Sequence, residues 1–179
     1  MTADATQSLD AWVPRSLLQL SAAEPVPIAT AEGLTPMRLF WRDGRLLMPQ
    51  PLPEQHKPPC QLVLPRLVDP HVHLDKAFTW SAHPNLSGTY GGALAANLEE
   101  HQQRTEAAVL ERAEWALQMA CARGLRAVRS HIDSLGPGAE PSWQALLQLR
   151  ERWRDRLTLQ LVALVPIDHW GTPAGETLA

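Results

Sequence analysis

Cysteine is scarce in the 179-residue sequence: Cys60 and Cys121 stand far apart, with no C-x-x-C spacing. That excludes a disulfide framework and a cysteine-rich zinc site, and makes a reducing cytoplasm the expected setting. A basic cluster is also missing. The 16 Lys and Arg, almost all arginine, are scattered among 19 Asp and Glu for a net charge of −3, so neither nucleic acid nor an anionic membrane is expected as a partner. No apolar run approaches the ~18 residues of a membrane span. The opening MTADATQSLDAW carries acids where an export signal needs basic residues. What is present is a 45% hydrophobic composition, enough to bury the core of one domain, or of one domain and part of a second.

Residues 1–60 read as a small β-rich segment and a proline-rich linker. Short apolar runs such as RSLLQL and PMRLFW punctuate it, and in MRLFWRDGRLLM the pair Asp43-Gly44 between two strand-like runs predicts a hairpin. PQPLPEQHKPP is expected to be a loop, because its prolines sustain neither a ladder nor a helix.

From residue 61 the pattern changes to strand, helix, strand, helix, strand. CQLVLPRLVDPHVHL is the first strand region, followed by the loop NLSGTYGG and a helical stretch from about Ala93 to Arg123. Thr105 is a candidate cap that would split this stretch in two. Val109, Ala113, Leu117 and Ala120 keep helical spacing up to Gly124, a C′ residue. LRAVRSHID, 125–133, is a second strand, PSWQALLQLRERW a second helix, and LTLQLVALVP a third strand whose nearly unbroken apolar character predicts cover on both faces. Such alternation implies parallel pairing with right-handed crossovers.

DPHVHLDKAF holds His71 and His73 at i and i+2, which in a strand point the same way with Cα atoms roughly 6–7 Å apart, within reach of one cation. The bare motif is weak, since seven histidines in this length give roughly 0.3 such pairs by chance. Position adds weight. The second strand ends in His131 and Asp133, and the third near Asp168 and His169, so three strands would deliver histidine and acid to the C-terminal edge where α/β folds place their sites.

LVLPRLVDPHVHLDKAF resembles the first barrel strand of the amidohydrolase superfamily, in its cytosine deaminase-like branch. The likeness continues through NLSGTYGGALAANLEEHQQRT, ERAEWALQMACARGLRAVRSHID and LTLQLVALVP, in order and spacing, over roughly residues 35–170. The resemblance implies a (β/α)8 TIM-type barrel with a small β domain. The implied enzyme is an amidohydrolase that hydrolyses non-peptide C–N bonds in cyclic amidines, amides or aminopyrimidine-like rings. It implies a divalent metal, zinc or iron, with its first two ligands at His71 and His73. The family's further metal histidine and glutamate proton shuttle come from the fifth strand, another histidine from the sixth and an aspartate from the eighth. About 118 residues follow residue 61, whereas such a barrel takes about 250. The expectation is therefore an N-terminal portion of about three βα units, 61–179, acting on a small-molecule substrate only in the complete enzyme. The alternative is an inactive remnant, or a partial chain completed by a second polypeptide, with homo-oligomerisation open. Cytosine-binding members carry a glutamine after a proline at the third strand's end, where this chain has Ile167 after Pro166.

Several residues keep two readings. Asp75 and Lys76 are expected to form a local ion pair rather than to act in catalysis, with Asp75 otherwise near the pocket. His131 either lines the pocket or bonds to the barrel wall. Asp133 either orients a ligand histidine or caps a helix. Asp168, His169 and Trp170 are pocket candidates, as is Trp80. His56, His83 and His101 are expected to be solvated, and Cys121 to lie in the core.

Overall fold

The computed structural model describes residues 5–19, 28–53, 56 and 59–178, in two compact units, Met1–Pro65 and Arg66–Ala179. In the first, β1 (Gln7–Pro14) pairs antiparallel with β2 (Leu34–Arg42), which continues through the turn Asp43-Gly44 into β3 (Arg45–Leu46). Both turn residues have positive φ, 51° and 69°, as the twisted two-residue hairpin turn requires. Alternation along the strands buries Ala11, Val13, Met37 and Leu39 on one face. The proline-rich segment is less loop-like than expected: β4 (Gln50–Pro51) adds to β2, an edge position where a proline's missing donor costs no ladder bond. Residues 54, 55, 57 and 58 of that segment lie outside the described residues. RSLLQL forms a 3-10 turn at Arg15–Leu17, with residue 20 outside the described residues. Leu62 bridges Trp12, so this unit runs past residue 60 to Pro65.

On the opposite face of β1 and β2, Asp10 stands directly across from Arg38 and receives two guanidinium bonds, 2.7 and 2.9 Å, with His56 at 3.0 Å. The bonds from Arg38 bring the Asp10 carboxyl down to about 2, outweighing a partial desolvation that acts the other way. A lowered carboxylate stabilises the fold above its unfolded value, near 4, and that stabilisation is lost as pH falls to about 2. The thermal stability difference between the wild type and Asp10→Asn is therefore expected to be constant above pH 5 and to shrink steadily between pH 4 and 2. A difference unchanged at pH 2 would contradict this.

The second unit holds a parallel sheet in the order β5 (Leu67–Val72), β6 (Leu125–Asp133), β7 (Thr158–Leu164). Between β5 and β6 lie α1 (Tyr90–Gln103) and α2 (Glu106–Ala122). Between β6 and β7 lies α3 (Ala139–Trp153), and α4 (Pro173–Leu178) follows β7. The predicted split at Thr105 is present: its hydroxyl accepts from the Ala108 amide, and α2 closes at Arg123 with Gly124 at φ +86°. α1 starts earlier than expected, capped by Thr89, and α3 starts at Ala139. Val109, Ala113 and Leu117 of α2 pack with Ala145, Leu146, Leu149 and Trp153 of α3 against Val128 and Ile132 of β6, forming one apolar core on the helix side.

The third strand corrects the expectation of cover on both faces. Leu159 is buried, but Thr158, Gln160, Val162 and Leu164 are exposed, because the helices pack on one side of the sheet and no described element of this unit covers the other. No described helix is long and apolar enough to cross a membrane.

Candidate metal centre

The open face of the sheet, at its C-terminal edge, carries three imidazoles. β5 reaches them irregularly: its register with β6 shifts between Asp69 and Val72, around Pro70, which has no amide to donate. The Asp69 carboxylate accepts from the His71 amide at 3.1 Å and fixes the bulge, a role signalled by the Asp-Pro pair but not read from it. His73 falls just past the strand. The His71 and His73 ring centroids are 5.2 Å apart, edge to face, while His131 of β6 stacks on His71 at 4.0 Å with 20° between planes and lies 6.1 Å from His73.

The hydrogen bonds set the tautomer. Nδ1 of His73 lies 2.8 Å from the His131 carbonyl oxygen, which can only accept, so Nδ1 carries the proton and Nε2 keeps its lone pair. Nδ1 of His131 is buried without a hydrogen-bond partner. Burial, ahead of the neighbouring imidazoles and Arg129, pushes the His131 imidazole below its ordinary value, which favours the neutral ring. A histidine whose bond to a backbone carbonyl frees the other ring nitrogen suits a cation. No group of three or more His, Cys, Asp or Glu among the described residues is arranged to hold a metal ion by itself. The imidazoles thus fit one side of a metal site, not a closed one.

The neighbouring charges are arranged differently from the expectation. Asp75 and Lys76 do not pair with each other. Asp75 is fully buried, and its Oδ2 accepts from Arg104 Nη1 at 3.0 Å and from the Asp133 amide at 3.2 Å. Lys76 Nζ donates to both oxygens of Asp133, at 2.8 and 2.7 Å, and Asn97 adds a third bond at 3.2 Å. Consecutive residues of a tight turn diverge, which is why sequence neighbours chose separate partners. Asp133 therefore holds Lys76 and Asn97 rather than a histidine ring, and α3 begins after Gly138 with no side-chain cap. Burial would raise the Asp133 carboxyl, but the bonds from Lys76 prevail and hold it below the ordinary carboxylate range.

Behind these residues lies a fully buried arginine that the sequence reading missed. Arg104 donates to Glu100 Oε2 at 2.9 and 2.5 Å and to Ser142 Oγ at 3.1 Å besides Asp75. Arg112 donates to Glu100 Oε1 at 2.7 Å and to the Asp75 carbonyl. The only signal available was the i, i+4 spacing of Glu100 and Arg104. His101, expected in solvent, is 4% exposed and lies 2.7 Å from the Leu135 carbonyl, against Gly136 and Gly138 in the loop after β6. His83 is also sheltered, with an unpartnered buried Nδ1, while His56 remains accessible. Cys121 packs beside the core as expected. Trp80 is exposed in the loop after β5. Asp168, His169 and Trp170 occupy the 3-10 turn after β7, at the same end of the sheet, and no described hydrogen bond joins them to the imidazoles.

A three-stranded parallel sheet with helical crossovers, and histidines gathered at the C-terminal strand ends, defines a mixed α/β unit of the kind found in part of a TIM barrel. No family model matches the chain. Over 108 residues it is 39% identical to a pterin deaminase of Rhizobium rhizogenes (strain K84 / ATCC BAA-868), a match that takes in 60% of this chain and 25% of that protein. The fold is similar to the crystal structure of 5-methylcytosine deaminase from Klebsiella pneumoniae liganded with 5-fluorocytosine, at a TM-score of 0.64 and 21% identity, over 88% of this chain and 36% of that one. The same enzyme liganded with phosphonocytosine gives 0.63 and 20%, over 87% and 36%. The chain thus spans about a quarter of the curated relative it matches. The likeness is thus to a deaminase in sequence, over part of the chain, and to a cytosine deaminase in fold, in line with the resemblance read from the sequence.

Proposed function

We propose that the chain supplies the first strands, about three βα units, of a metal-dependent hydrolase of non-peptide C–N bonds that deaminates an aminopyrimidine-like ring, with the pterin ring system the first to test. The observation that carries the reading is the imidazole group at the strand ends, with His73 held so that Nε2 is free. His71 and His73 would hold the metal, zinc or iron, whose Lewis acidity lets water act as the nucleophile near neutral pH. Within the described residues, the His131 carbonyl holds the His73 proton on Nδ1. Lys76, Asp133 and Asn97 fix the polar floor at the neighbouring strand end. Asp168, His169 and Trp170 border the substrate from the third strand. Ile167 after Pro166 argues against cytosine itself. The remaining ligands and the proton-shuttling carboxylate would come from outside the described residues. The exposed side chains of β7 favour further barrel strands over that face, from the same polypeptide or a complementing chain; a remnant without turnover is the rival. Free Cys60 and Cys121 favour a cytoplasmic setting.

Metal analysis tests the centre. After equilibration with Zn2+ and gel filtration, the wild-type chain should retain metal, and a His71→Ala, His73→Ala variant should lose it while keeping the same far-UV circular dichroism. Equal metal content in the two proteins would sink the ligand assignment. Ammonia release from pterin by an assembled enzyme then decides between hydrolase and remnant.

A further inference from the structure

We propose that His131 is a positioning residue for the imidazole pair: its ring is the platform that holds the His71 ring, while its main chain fixes His73. This rests on the reading that His71 and His73 hold a metal.

The two strands are unequally braced. β6 is the central strand of the three, and its pairing with β7 runs unbroken from Ala127↔Thr158 to Asp133↔Leu164. Its Ser130, fully buried, also receives the Leu74 amide at 3.1 Å. β5 is an edge strand whose ladder breaks between Asp69 and Val72, and His71 stands in that break, exposed. A ring on a bulge is free to rotate about χ1 and χ2 unless something holds it, and a free ring must be ordered when it binds a cation.

Among the described residues no hydrogen bond reaches the His71 ring; only its backbone amide is held, by Asp69. The side-chain contacts that orient it are the 4.0 Å stack on His131 and the 5.2 Å edge-to-face approach of His73, itself held by the His131 carbonyl. The His131 ring, in turn, makes no hydrogen bond through its buried Nδ1. A histidine placed there for its own polar bond would have a partner. Its flat face is what it uses, and its carbonyl holds the other imidazole. One residue of the rigid strand thereby orients both rings of the irregular one, the arrangement by which groups around a metal site commonly set affinity.

The test is Co2+ titration of the purified full chain, followed by visible absorption and by calorimetry. His131→Phe keeps a flat ring and the carbonyl but no nitrogen, and is expected to bind Co2+ as the wild type does, with the same absorption bands. His131→Ala is expected to bind roughly tenfold more weakly, with an unchanged thermal midpoint. Should the alanine variant fail to fold, His131→Leu, apolar but without a planar face, takes its place with the same expectation. Wild-type affinity in the alanine or leucine variant would overturn the proposal. So would a phenylalanine variant as weak as alanine, which would make the His131 nitrogen itself a ligand. Failure of the underlying reading looks different: His71→Ala would then bind Co2+ as well as the wild type.

Discussion

Arg104→Met is expected to destabilise the unit Arg66–Ala179 by about 3–5 kcal/mol, seen as a lower denaturant midpoint with little change in slope. Exposed ion pairs contribute about 0–1 kcal/mol. Arg104 differs because it is fully buried and its partner Asp75 is fully buried with it, so removing the guanidinium strands a charge that water cannot reach. The partners would not suffer equally. Glu100 keeps Arg112 at 2.7 Å and Asp133 keeps Lys76 at 2.7 Å, whereas Asp75 loses its one cationic side-chain partner among the described residues and retains the Asp133 amide. Adding Asp75→Asn to Arg104→Met should therefore recover a large part of the loss, and adding Glu100→Gln should recover less. Burial raises the Glu100 carboxyl, but the bonds from Arg104 and Arg112 hold it below the ordinary range, so its contribution is present at neutral pH and fades as pH falls below about 4. An Arg104→Met protein within 1 kcal/mol of the wild type, or equal recovery by the two added substitutions, would contradict the assignment.

The network also accounts for what sequence reading could and could not reach. β6 was legible as Leu125–Asp133 because Val128, Ser130 and Ile132 alternate with residues of the open face. The break before Glu106 was legible because a threonine cap is a local event, and Gly124 because a left-handed residue has few alternatives. The gathering of the imidazoles follows from parallel strands that end in register. β7 was misread because an apolar run reports what a strand is made of, and whether both faces are covered depends on elements elsewhere. Asp75 and Lys76 were misread because adjacency in sequence says nothing about which of two cations, the buried Arg104 or the half-buried Lys76, a carboxylate will find. His101 was placed in solvent from its polar neighbours, yet it packs against Gly136 and Gly138, a contact between segments about 35 residues apart. Local chemistry was readable; long-range pairing of charges was not.

Asp75 follows His73 by two residues, and Asp133 follows His131 by two. The buried arginine therefore grips both chain segments immediately beyond the imidazoles, so stability and site geometry share one anchor. A substitution that weakens metal binding through this anchor should also lower the unfolding midpoint, whereas one acting on the imidazoles should not. That distinction calls for a control that removes stability without touching the Arg104 network.

Trp153→Ala supplies it, with an expected loss of about 3–5 kcal/mol. Trp153 closes α3 and is 1% exposed, packed in the cluster that includes Leu117, Leu146, Leu149 and Leu159. Its indole N–H donates to Glu114 of α2 at 3.0 Å, and the Arg156 guanidinium lies 4.3 Å over the ring, so truncation opens a cavity and strips two further contacts. Trp153→Phe keeps most of the apolar contact and loses the indole bond, for an expected cost of about 1–2 kcal/mol. Trp115, on α2 but 55% exposed and tilted against Phe78, should cost about 1 kcal/mol or less when changed to alanine. Denaturant titrations of the three variants read these differences, and a Trp115→Ala loss equal to that of Trp153→Ala would place the core elsewhere. Because the Trp153 contacts lie on the helix side of the sheet and the imidazoles on the open side, Co2+ affinity per folded molecule should stay at the wild-type value in Trp153→Ala under conditions where it remains folded. His131→Ala should show the reverse pattern, with affinity lost and the unfolding midpoint kept.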